Sequence, residues 1–393
     1  MKLVIHKSRQ WRDSPLLWTI LLLPHLKTDY MNETVYLDLL FNIGRVISGL
    51  LIICMLFFTE KIILNSQILL LIALQGVPFL ATVLNHLPIR DACLRFISTI
   101  CVALLLNYTF RRNAGKAIRV LFFVLSVYAL INLTTIILYP DGLYNLGGER
   151  RSYFLGHVNS ALIYFVPLLL CAFLIINNIC LRVSRFFAYV MIGVAMLTVL
   201  ITWSATSLVV IAVMLILCMT HTVWSEIKII NGFTSYVVCG LATIGILFFQ
   251  IQNTFAFLIE NILHRSLDFT RRIKMWENAI VYIRNKPFVG YGIESIPIRR
   301  LILGGPSYHD LFLEMLYQGG VLELALWFLF VYSVVWQLKK YRAYVSSAIV
   351  NASIIGLSLA SITETLYGNA MFYIVFMIAM NVQHIISMKS EVL

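Results

Sequence analysis

Apolar residues fill this chain in blocks separated by short polar breaks, and about 20 mostly apolar residues are what a helix needs to cross a bilayer. Twelve blocks approach that length: residues 14–27, 38–58, 62–84, 92–110, 117–139, 157–177, 184–201, 203–220, 233–251, 320–338, 343–361 and 369–387. The first is short and contains Pro24, and the seventh and eighth are one apolar run divided at Thr202-Trp203-Ser204, which predicts a hairpin. The pattern predicts an all-α integral membrane protein, with about twelve transmembrane helices in a single polytopic domain over residues 1–393. One stretch departs from it. Residues 252–308 are largely polar and predict a long loop outside the bilayer, carrying helices that lie along its surface.

Composition agrees with this reading. The chain is 60% hydrophobic and 12% charged, against about 25% charged in soluble domains. A net charge of +12 would suggest nucleic acid in a soluble protein; here Lys and Arg first orient the spans, and no nucleic-acid partner is expected. Basic residues gather at Lys2, Lys7, Arg9 and Arg12, at Arg111, Arg112, Lys116 and Arg119, and at Lys339, Lys340 and Arg342. These segments fall on one side, so both termini are expected in the cytoplasm and the 252–308 loop outside. The N-terminal run is basic, but no small-residue cleavage site precedes Asp29, which predicts an uncleaved first span. The seven cysteines form no CxxC and no His/Cys cluster, which predicts small core residues and no zinc site.

The long polar stretch carries the candidate chemistry. From Arg265 onward it holds Arg265, Arg271, Arg272, Lys274, Arg284, Lys286, Arg299 and Arg300. They suit either anchoring on anionic headgroups or a site for a phosphorylated ligand, because Arg forks match phosphate geometry. Ile273, Trp276, Ile280 and Ile283 recur at helical spacing and predict a helix over 269–286. Arg272, four residues before Trp276, shares that apolar stripe, so its side chain either points at the bundle or snorkels to headgroups. Pro287 ends the helix, and Gly290 and Gly292 allow a tight turn. Farther on, Ser307 is expected to cap a helix with Asp310 as its capping-box partner. That places His309 in a first turn, where unpaired N–H groups attract anions and keep an imidazole neutral, as a general base requires. Glu364, in the turn Thr363-Glu364-Thr365, is a candidate to face the same cavity. Within the spans charge is sparse, with Arg45 the clearest case, and Glu314 and Glu323 are expected to hydrogen-bond within the bundle.

At these residues the sequence resembles the O-antigen ligase and Wzy-type polysaccharide polymerase superfamily. Arg272-x-x-x-Trp276 followed by Pro287-x-x-Gly290-x-Gly292 is similar to the family's Arg-x-x-x-Trp and Pro-x-x-Gly-x-Gly run. Arg150-Arg151 followed by His157-x-Asn159 resembles a segment of capsule and exopolysaccharide polymerases. Ligases continue their His motif with Asn, Ser or Gln and end it with Gly, Thr or Tyr; Asp310 and Glu323 stand at those positions here and favour a polymerase. The family's Ser-Arg pair after the mid-chain span has no arginine in Ser204-Ala-Thr-Ser207, so no role is carried to it. The resemblance implies a GT-C-like, metal-independent, inverting glycosyltransferase of the bacterial cytoplasmic membrane, with no cofactor. It would join undecaprenyl-pyrophosphate-linked oligosaccharide repeats on the outer face. His309 would be the catalytic base, with Arg272, Arg271, Arg150, Arg151, His157, Asn159 and Glu364 binding substrate. A flippase and a chain-length regulator of the same pathway would be its partners. The alternatives are a ligase that moves polymer to another acceptor, and a lipid-linked oligosaccharide flippase or transporter; two similar halves with a central linker, which a carrier would show, are not seen.

Overall fold

The computed structural model describes residues 11–58, 64–145, 151–178, 182–257, 260–261 and 272–388. The chain opens with α1 (Pro15–Leu22) and the short α2 (Asp29–Glu33), then α3 (Val35–Phe57) and α4 (Ser66–Leu84). Asn65 Oδ1 accepts from Ile68 N at 2.8 Å and so starts α4 four residues later than the apolar pattern predicts. α5 (Arg90–Leu138) is two helices meeting at Asn113, whose φ of −160° and ψ of 93° are not helical. Asn113 Oδ1 accepts from Lys116 N at 2.8 Å, capping the second arm. The predicted spans 92–110 and 117–139 are therefore joined by a break of one residue.

Next come three short antiparallel strands in the order β1 (Tyr144–Asn145), β2 (Arg151–Tyr153), β3 (Gly156–His157). This small sheet departs from the all-α expectation. Gly156 explains part of it: its φ is +115°, and any Cβ there would collide with the Asp29 carboxyl. Because β3 and a turn occupy residues 156–161, α6 (Leu162–Asn178) begins later than the span predicted from residue 157. His157 and Asn159 thus sit in the loop ahead of the helix.

α7 (Arg182–Thr202) and α8 (Ala205–Met219) make the predicted hairpin, turning at Trp203 with φ +46°. They are followed by α9 (His221–Trp224), α10 (Gly232–Phe249), α11 (Arg272–Asn285), α12 (Ile296–Leu303), α13 (Leu311–Lys340), α14 (Val345–Ala360), α15 (Ala370–Met380) and α16 (Val382–Ser387). Among the described residues six helices are long and apolar enough to cross a membrane, and five shorter apolar stretches accompany them. The chain is a multi-pass membrane protein. α15 is apolar on every side and buried along its whole length, as expected for a helix at the centre of a bundle. α3 instead exposes Val35, Leu39, Leu40, Ile43 and Leu50, a surface suited to lipid.

α13 is interrupted at Gly320, where φ is +66°. The break leaves backbone groups without helical partners, and inside a membrane each such group is costly. Residues 287–292 supply the partners. Val321 N donates to Pro287 O at 2.7 Å and Leu322 N to Phe288 O at 3.3 Å, while Tyr291 N and Gly292 N donate to Tyr317 O and Gln318 O at 2.8 and 2.9 Å. Gly290 and Gly292, at φ +70° and +87°, lie so close to α13 and α4 that a Cβ at Gly290 would stand 2.5 Å from Tyr317 O. The Pro-x-x-Gly-x-Gly run is thus a strap that repairs the broken helix.

Candidate functional site

The site forms where the segment before α13 and the segment after α14 run side by side. Leu311 N donates to Ser361 O at 2.9 Å, and the Ser307 and Thr365 hydroxyls meet at 2.6 Å. These ties face His309 toward Glu364, with Nδ1 3.5 Å from Oε2. His309 sits at φ +52°, a conformation non-glycine residues seldom adopt and one that clusters at functional sites.

The helix start differs from the expected one. Asp310, not Ser307, is the N-cap: its Oδ1 accepts from Leu313 N at 2.9 Å and its Oδ2 from the Thr243 hydroxyl at 2.7 Å. His309 therefore precedes the helix instead of occupying its first turn. The Asp310 side chain already occupies the helix N-terminus, so the place expected for an anion there is taken by the protein itself.

Arg272 opens α11, and the apolar stripe behind it faces the core, with Trp276 buried and Ile273, Ile280 and Ile283 partly buried against the same cluster. Trp276 is fully enclosed, and its indole Nε1 donates to Tyr308 O at 2.7 Å, fastening α11 to the residue before His309. The Arg272 guanidinium turns inward, donating from Nη1 to Thr363 O and from Nη2 to Glu364 Oε1 at 3.0 Å. Of the two orientations open to the sequence, the one facing the bundle is observed.

A third approach comes from the loop before α6. Asn159 Nδ2 donates to Glu364 Oε1 at 2.6 Å. The Ser204 hydroxyl, which caps α8, donates to Asn159 Oδ1 at 2.6 Å and lies 2.8 Å from Ser207 Oγ. Thr206 and Thr363 pair through their hydroxyls at 3.0 Å. His157 Nδ1 accepts from Asn159 N at 3.4 Å. Glu364 is the hub of this arrangement and is only 5% exposed. Burial alone would raise its carboxyl; the Arg272 guanidinium, then His309 and His157, outweigh burial and hold it at about 2.

The structure thus gathers Arg272, His309, Asn159 and Glu364, with His157 close enough to act on Glu364 electrostatically. Arg151 is exposed on β2; a strand alternates its sides, so Arg151 and the buried Ser152 face apart. Arg150 and Arg271 lie outside the described residues. The sequence reading missed Ser204, Ser207, Thr206 and Thr363. The Ser-x-x-Ser spacing of a helix cap was the available signal, but nothing in one sequence ties that cap to Asn159.

It also missed Arg95. Arg45, the expected intramembrane charge, donates from Nε to Pro24 O at 3.1 Å, satisfying a carbonyl where the chain turns. Arg95 is more deeply buried. It donates to Gln318 Oε1 at 2.8 Å and Gln75 Oε1 at 3.1 Å, stands 3.9 Å from Glu323, and covers the Tyr367 ring at 4.2 Å. Tyr367 in turn donates to Gln318 Oε1 at 2.9 Å, so this network pins the segment that carries Glu364.

Residues 192–328 match the family model of the O-antigen ligases. The matched O-antigen ligase segment contains Arg272, Trp276, the 287–292 strap and His309, the features that carried the resemblance. It supports placement in the O-antigen ligase and Wzy-type superfamily, whose members are glycosyltransferase-like enzymes acting on lipid-linked sugars. His157, Asn159 and Glu364 lie outside the matched segment and reach it only through the fold. No curated protein matches the chain.

Proposed function

We propose that this protein is a polymerase that joins undecaprenyl-pyrophosphate-linked oligosaccharide repeats on the outer face of the bacterial cytoplasmic membrane. The observation that carries the reading is the convergence of Arg272, Asn159 and His309 on one buried carboxylate, Glu364. The O-antigen ligase segment supplies the reaction class. The departures at Asp310 and Glu323 from the ligase pattern favour a polymerase over a ligase.

In this reading the acceptor sugar's hydroxyl oxygen attacks the anomeric carbon of a lipid-linked chain. The bond from that carbon to the pyrophosphate oxygen breaks, its electron pair leaves with undecaprenyl pyrophosphate, and the configuration inverts. The hydroxyl proton passes to His309 Nε2. Glu364, on the Nδ1 side, sets the ring's orientation and tautomer and stabilises the imidazolium that forms, the role a carboxylate plays behind a catalytic histidine. Arg272 has five donors, of which Thr363 O and Glu364 take two; the others serve the departing pyrophosphate without a metal. Arg150, Arg151 and Arg271 are proposed to add positive charge at the mouth, and His157 to bind sugar. The spans number about twelve, with both termini cytoplasmic and the 252–308 segment outside. A flippase delivering single repeats and a chain-length regulator are the proposed partners.

Deletion of the gene, followed by analysis of lipid-linked sugars, tests this reading. A polymerase mutant leaves single repeats exposed on lipid or at the surface. Long lipid-linked chains would mark a ligase, and single repeats trapped inside the cell would mark a flippase.

A further inference from the structure

At the opposite end of α13 from His309, the α9–α10 connection, the end of α13 and the start of α14 enclose a cavity of about 240 Å³. Lys228, Lys339 and Arg342 line it, and among the described residues no acidic side chain does. Arg342 is fixed in place by donating from Nε to Ser225 O. Its Nη2 is buried without a hydrogen-bond partner and stands 3.9 Å from Glu226, whose side chain is 83% exposed. Glu226 is at ion-pair but not hydrogen-bond distance, so this N–H, on a cavity also lined by two lysines, can still donate to an anionic oxygen. The other wall, with Val335 and Leu338, is apolar. Ile229 and Trp336, next in sequence to the lining residues Lys228 and Val335, are exposed, and an aromatic and basic rim of this kind suits headgroups.

We infer that this cavity binds a phosphate group, presented by the headgroup of an anionic phospholipid. The volume is below the roughly 300–1,000 Å³ of pockets for larger ligands, so it suits a headgroup and not a nucleotide. The three cations supply the charge, and the apolar wall continues toward the acyl chains. This site is separate from Glu364 and does not depend on the reaction proposed there.

The test uses the purified, delipidated full chain in detergent, with thermal melting as the readout and phosphatidylglycerol, phosphatidylcholine and inorganic phosphate as probes. Phosphatidylglycerol is expected to stabilise the protein well beyond phosphatidylcholine. Lys228→Gln and Lys339→Gln should each weaken its apparent affinity about fivefold, while Lys340→Gln, the same charge change at an exposed residue that does not line the cavity, should not. Arg342 is left intact because its bond to Ser225 O gives it a structural role as well. Equal stabilisation by inorganic phosphate, sensitive to the same two lysines, would support the phosphate site and overturn the lipid as its source. Equal melting with the two lipids and no phosphate response, or a phosphatidylglycerol response unchanged in the Lys228→Gln/Lys339→Gln double variant, would overturn the site.

Discussion

Nδ1 of His309 lies 3.5 Å from Oε2 of Glu364, held there by the two ties between the segment leading into α13 and the segment leaving α14. Glu364→Gln keeps the shape and removes the charge that organises the imidazole. Polymer formation should fall by about 10²-fold or more, with membrane levels of the protein unchanged. Near-normal turnover in a reconstituted assay would reduce Glu364 to a packing contact.

Arg272 bridges two acceptors, the carbonyl of Thr363 and the carboxylate of Glu364. A lysine retains the charge but cannot reproduce that planar fork. Arg272→Lys and Arg272→Ala should therefore lose comparable activity, on the order of 10²–10³-fold. Full rescue by lysine would show that charge alone is required and that the bridging geometry is not.

The strap over the α13 break makes a prediction about stability. Gly290 and Gly320 have φ of +70° and +66°, and at both the added Cβ would meet backbone that cannot move aside. Gly290→Ala and Gly320→Ala should each cost about 1–3 kcal/mol, read as a lower melting temperature in detergent. Gly304→Ala is the comparison, since its φ is +77° but nothing lies within 4 Å of the added carbon; it should cost less. Equal losses at all three positions would argue against the strap's close fit.

Glu364 also sets an acid limit. Its carboxyl is lowered from 4.5 to about 2, so its ionised form stabilises the folded state. That contribution is complete above about pH 4.5 and is lost as the pH falls toward 2. The melting-temperature gap between wild type and Glu364→Gln should be widest near neutral pH and should close as the pH drops through that window. A gap that stays constant from pH 7 to pH 3 would contradict the ionised state.

Much of the architecture was legible because burial in lipid imposes long apolar blocks. The spacing of Arg272 to Trp276 placed it on the apolar stripe of α11 but left its direction open, decided by Thr363 and Glu364 on a distant segment; Gly290 and Gly292 marked a tight turn. What the turn accomplishes was hidden, because the partners of residues 287–292 are backbone groups of α13 exposed only by the break at Gly320. The start of α13 was misread for a related reason. Ser307 and Asp310 are both good caps; Ser307 pairs instead with Thr365 and Asp310 is anchored by Thr243, partners distant in sequence. Arg95 went unnoticed because its acceptors, Gln75 and Gln318, are distant in sequence. The residues around Glu364 come from four separate parts of the chain, a convergence that local pattern cannot reveal.

The most direct measurement is polymer synthesis by the purified protein in liposomes, supplied with a lipid-pyrophosphate-linked repeat unit, comparing wild type with His309→Gln. Glutamine keeps a polar side chain of similar reach but cannot take up the acceptor's proton. The account predicts a ladder of products from wild type, and from His309→Gln a rate lower by about 10²–10⁴-fold. A ladder of normal length and rate from His309→Gln would contradict it.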